Sequence, residues 1–119
     1  MPLKVYYLPT CQTCRKALKF LDEHNIEYKL INIRENPPKK TEIRKMLAAF
    51  NGEPKRLFNT SSKDYKNLDL KNKVREMDTG EIVDLLASNG NLVRRPFVVH
   101  EDVMLVGYIR QVWEAKLLD

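Results

Sequence analysis

The sequence predicts an α/β fold in which a small mixed sheet is covered by helices and a helical segment is inserted mid-chain. Three observations predict it. β-Prone apolar runs occur only towards the two ends, at 3–8, 28–33, 97–100 and 103–106. Apolar residues at helical spacing follow the first run, fill much of the middle and close the chain, giving β-α-β, helices, then β-β-α. Finally, 119 residues with 43% apolar and 31% charged side chains suffice for one core, which makes 1–119 a single domain with an insertion at about 37–92.

The first run, Leu3 to Leu8, contains Tyr and Val and stops at Pro9, as a buried strand does before a residue that cannot donate a ladder bond. From Gln12, Cys14, Ala17, Leu18 and Leu21 fall three and four apart with charges between them, a helix ending at His24-Asn25. Tyr28 to Ile33 is the second strand, broken by Asn36-Pro37-Pro38. Ile43, Met46, Leu47 and Phe50 then mark a helix over 39–50, with Asn51-Gly52 suited to a left-handed C-terminal cap. Between Glu53 and Arg75, scattered anchors at Leu57, Phe58, Tyr65, Leu68, Leu70 and Val74 imply only short helical turns around 62–67. Asp78 with Glu81 forms a capping box ahead of a helix from Thr79 to Ser88, ended by Asn89-Gly90. Phe97 to His100 and Val103 to Val106, split by Glu101-Asp102, make a hairpin. A last helix spans Tyr108 to Leu118 with Ile109, Val112, Trp113 and Leu117 on one side.

The longest apolar runs are far shorter than the roughly 18–20 residues that cross a bilayer, and no apolar leader precedes a cleavage site, so a cytoplasmic protein without membrane contact is expected. Twelve basic and five acidic residues lie between Arg34 and Arg75, against nine and eleven elsewhere. Such a patch suits an anionic small substrate, an acidic protein surface or nucleic acid, or is simply a solvated face. Direct nucleic-acid binding is not expected, because the basic segment shows neither a recognition helix nor a set of stacking aromatics.

Both cysteines fall in one tetrapeptide, Cys11-Gln-Thr-Cys14, which opens a helix after a strand. Thiols attack as thiolates, and an ordinary thiol is only about 3% ionised at neutral pH. Unpaired amide hydrogens and the helix dipole supply what is missing at a helix N-terminus, so Cys11 is the expected nucleophile. Cys14, nearly one turn on, is placed to resolve a mixed disulfide, although its position on the apolar stripe also suits a buried small hydrophobe. Zinc would need two further ligands, and neither His24 nor His100 has a zinc-module spacing. Arg94-Arg95-Pro96 stands just before the third strand, an odd place for proline unless a cis turn forms there. A turn facing Cys11 would let Arg95 stabilise a thiolate or bind an oxyanion; otherwise the pair is two exposed basic residues beside a strand.

Tyr7-Leu-Pro-Thr-Cys11-Gln-Thr-Cys14-Arg-Lys, Glu35-Asn-Pro-Pro, Tyr65-Lys-Asn-Leu-Asp-Leu70 and Leu92-Val-Arg-Arg-Pro96, in this order, resemble the arsenate reductase (ArsC) and Spx family of bacterial proteins. The resemblance implies a thioredoxin-like, more narrowly glutaredoxin-like, fold with a mixed four-stranded sheet and a cis Pro96 beside the active thiol. In the glutaredoxin-coupled arsenate reductases, three arginines hold the oxyanion. Only Arg95 matches one; the others fall at Asn59 and near Gly107, which removes most of the charge-assisted donors, with Arg56 or Arg110 left to compensate. In the Spx branch the resemblance implies a redox-sensing transcription regulator binding the RNA polymerase α subunit through a surface near Gly52. The short ArsC-like group matches best. It implies a thiol-disulfide oxidoreductase with Cys11, Cys14 and Arg95 catalytic and Thr10, Gln12, Thr13 and Pro96 positioning the partner. No bound cofactor or metal is expected; the partner is a thiol or disulfide substrate or glutathione, with glutathione, thioredoxin or glutaredoxin as electron donor.

Overall fold

The computed structural model describes residues 2–118, so Met1 and Asp119, the outermost residues of the expected 1–119 domain, lie outside the described residues. In chain order the elements are β1 (Leu3–Tyr7), α1 (Gln12–Glu23), β2 (Tyr28–Asn32), α2 (Lys40–Ala49), α3 (Lys63–Asn67), α4 (Leu70–Lys73), α5 (Thr79–Ser88), β3 (Phe97–His100), β4 (Val103–Val106) and α6 (Arg110–Leu117). Short 3₁₀ turns at Pro54–Leu57, Val74–Glu76 and Gly90–Leu92 join the middle helices. The sheet order is β2-β1-β3-β4, with β1 parallel to β2 and the other pairs antiparallel, so it is mixed and four-stranded.

Alternation along β1 divides the hydrophobic residues between two layers. Leu3 and Val5 pack with Ala17, Phe20 and Leu21 of α1, Leu105 of β4 and Trp113 of α6 on one face. Tyr6 and Leu8 point the other way, into a larger core with Ile43, Met46 and Leu47 of α2, Val83 and Leu86 of α5, and Phe58 and Leu92 of the connecting segments. The middle of the chain therefore roofs one face of the sheet. A three-way contact ties it down: Glu42 accepts from Lys4 Nζ and from the Tyr6 hydroxyl, each at 2.6 Å.

Two expectations shift in detail. The last helix starts at Arg110 rather than Tyr108, because Ile109 is its extended N-cap. Ile109 and Val112 are consequently exposed at 55% and 43%, and Trp113 alone on that helix is fully buried, edge-on to Phe20 and Tyr108. β2 ends at Asn32, one residue short of the expected Ile33, and is an edge strand on which Leu30 is exposed.

Candidate active site

The turn from β1 into α1 builds the site. Pro9 and Thr10 carry the chain out of the sheet, the Cys11 N–H returns to Leu8 O at 3.1 Å, and Cys11 takes the N-cap position with extended backbone. N-caps ordinarily satisfy a first-turn amide with a side-chain oxygen. Here a sulfur does so: the Cys14 N–H donates to Cys11 Sγ at 3.3 Å. No acidic side chain occupies the first turn of α1, so nothing there competes with the sulfur for the helix's positive end. Cys11 is half-buried and Cys14 fully buried, and both are free thiols.

The two sulfurs live in different environments. Burial is the main force pushing the Cys14 thiol up to about 12, with neighbouring Cys11 acting in the same direction; the Leu8 backbone and the Arg95 charge pull the other way. Cys14 is therefore a buried, protonated thiol at neutral pH, next to the half-buried Cys11.

Beside Cys11 lies a cavity of about 260 Å³ lined by Cys11, Thr13, Asn59, Arg94, Arg95 and Gly107. The Arg95–Pro96 peptide is cis, and the Pro96 carbonyl accepts from the Gly107 N–H at 2.9 Å, which brings the turns before β3 and after β4 together at this point. Arg95 Nη1 is buried without a hydrogen-bond partner. Arg94 is fixed at its backbone by donation to Leu57 O at 2.8 Å, and burial together with the nearby Arg56 charge holds its guanidinium below its usual range. Neither Arg94 nor Arg95 pairs with a carboxylate among the described residues. Two unneutralised guanidiniums beside a sulfur form a seat for an anionic group on whatever meets that sulfur.

Of the residues expected at the site, Cys11, Thr13 and Arg95 line this cavity, and Cys14 and Pro96 are buried and do not line it. Thr10 and Gln12 are exposed and do not line it. Asn59 and Gly107, at or near which the resemblance places two of the expected oxyanion-holding arginines, both do. Arg56 stacks on Phe50, 4.8 Å from the ring centre, and Arg110 faces Glu114, so neither lines the cavity. Sequence reasoning missed Arg94: its only signal is adjacency to Arg95, and adjacent residues of an extended segment are normally expected to diverge. No cluster of three or more His, Cys, Asp or Glu side chains able to hold a metal ion forms among the described residues.

Comparison with known proteins matches residues 6–115 to the ArsC family. The Bacillus subtilis protein YusI is 40% identical over 98% of both chains. A global transcriptional regulator, Spx, from Listeria innocua is 32% identical over 87% of this chain and 78% of its own. The crystal structure of an ArsC family related protein from Bacteroides fragilis superposes with a TM-score of 0.89 at 40% identity, covering 97% of this chain and 98% of that one. The chain belongs to the ArsC family.

Proposed function

We propose that this ArsC-family chain is a thiol-disulfide oxidoreductase in which Cys11 attacks and Cys14 resolves. The observation that carries the reading is the sulfur of Cys11 capping its own helix through the Cys14 amide, open to a cavity with two unpaired guanidiniums. An amide hydrogen and a helix N-terminus facing a sulfur stabilise its thiolate form. In the first step Cys11 sulfur bonds to one sulfur of a disulfide partner, and the other partner sulfur leaves as a thiolate that takes up a proton. Cys14 then loses its proton and attacks Cys11 sulfur, forming a Cys11-Cys14 bridge and releasing the second partner thiol. The partner has gained two electrons, and an external dithiol or two glutathione molecules return the bridge to the free thiols. Glutathione, thioredoxin and glutaredoxin are the donor candidates.

Arg95 and Arg94 seat the anionic group of the partner, and Thr13 forms the cavity wall next to the nucleophile. Turnover of a mixed-disulfide substrate with each donor tests the reading: Cys11→Ser abolishes it, and unchanged turnover by that variant refutes the assignment. Arsenate-dependent consumption of glutathione in the same assay would reassign the cavity to an oxyanion. An Spx-like regulator would instead capture the RNA polymerase α subunit through Gly52. That glycine already has a local reason to exist: it sits at φ +77° after α2, its N–H donating to Leu47 O at 2.8 Å.

A further inference from the structure

We propose that the helical middle of the chain holds a second binding site, separate from Cys11, for a small amphipathic anion with one carboxylate-type head and an apolar tail. A cavity of about 520 Å³ opens between the turn at 52–55 and the helices from Tyr65 to Ile82, and it shares no lining residue with the cavity at Cys11. That volume lies in the ordinary range for small-molecule sites.

Its chemistry is two-sided. Tyr65, Val74 and Ile82 form a floor in which each is under a tenth exposed, and Pro54 and Met77 are half-buried at its sides. Lys55, Lys71 and Arg75 stand exposed around the opening, with Glu53 the one carboxylate in the lining. None of these three cations makes an ion pair among the described residues. Lys71 and Arg75 lie four residues apart in consecutive helical turns, so their charges reach the same rim. A neutral apolar ligand leaves the rim charges unused, and an inorganic anion leaves the floor wet. A ligand carrying both a head and a tail satisfies both, because the tail displaces water from the floor while the head meets the cations.

Decanoate below its micellar concentration is the probe, followed by amide chemical shifts and calorimetry on the intact chain, with decyltrimethylammonium and inorganic phosphate as counter-probes. Saturable decanoate binding is expected, with shifts centred on 52–57 and 71–82, no comparable response to either counter-probe, and affinity reduced at least roughly tenfold in K71E/R75E. Both substituted side chains are exposed, so the thermal midpoint checks that the fold is retained. Met77→Trp, which fills the site and keeps the charges, should also lose binding. Equal binding of decyltrimethylammonium, affinity indifferent to the charge reversal, shifts centred on Cys11, or no saturable response each overturns the proposal.

Discussion

At the scale of single residues, the division of labour proposed for the two cysteines rests on where each sulfur sits. Cys11 is reachable and faces an amide hydrogen, whereas Cys14 is buried with its thiol pushed up to about 12, chiefly by burial. Cys14→Ser should therefore leave the first attack intact and trap the partner on Cys11, seen as a stable mass adduct. The raised Cys14 value also sets a sign: the ionised fraction of Cys14 grows about tenfold per pH unit below 12. Closure of the bridge, followed by stopped flow from a preformed mixed disulfide, should accelerate with rising pH across the neutral to alkaline range. A closing rate flat in pH would show that the buried thiol is not what limits resolution. Arg95→Ala, which removes a buried donor lacking a partner, should slow the first step with anionic disulfides more than with neutral ones.

At the scale of elements, local signals were most legible where a cap fixed them. Asp78 and Glu81 close their reciprocal hydrogen bonds at 2.8 and 3.2 Å, and Asn51 and Gly52 both take positive φ after α2. The stretch from Glu53 to Arg75 was legible only as anchors. Its helices and 3₁₀ turns run three to five residues each, too short for a period of 3.6 to declare itself. The cavity was legible in the placement of Cys11 and in its cis turn, and in Asn59 and Gly107 through the family resemblance alone; Arg94 was illegible, because its placement depends on long-range folding of the middle segment, where its N–H meets Leu57 O. Two contacts that seat this segment can be tested. A Cβ at Gly90 would stand 1.9 Å from Ile33 O, so Gly90→Ala should cost about 3 kcal/mol or more in urea unfolding, since backbone cannot yield as a side chain does. Burial opposes ionisation of Glu42, but bonds from Lys4, Tyr6 and the Lys39 N–H outweigh it and hold its carboxyl below the usual range. A carboxylate depressed on folding stabilises above its unfolded value of about 4.3 and loses that contribution as pH falls through the folded value. Glu42→Gln should therefore be less stable by about 1–3 kcal/mol at neutral pH, and the gap should narrow as the pH falls below the ordinary carboxylate range.

At the scale of the whole molecule, the two cores are separate clusters on opposite faces of one sheet, yet neighbouring residues of the same strands feed both. On β1, Val5 serves one face and Tyr6 the other; on β3, Val98 serves one and Phe97 with Val99 the other. A strand cannot be lost from one core and kept in the other, so the expected single domain should unfold in one step even though its middle segment covers only one face. The chain's single tryptophan makes this measurable. Trp113 is buried on the α1 and α6 side, where its indole N–H donates to Gly107 O at 3.1 Å, and its fluorescence reports that side alone. Leu47 packs on the opposite face. Leu47→Ala should remove about 2–5 kcal/mol of stability, and the Trp113 fluorescence transition should move to the same lower denaturant midpoint as the far-ultraviolet circular dichroism. If the middle segment melts by itself, dichroism falls early and the Trp113 transition stays at its wild-type midpoint. In that event the shared strands do not couple the two layers, and the cavity at Cys11, with Asn59 on one wall and Gly107 on another, would open before the sheet does.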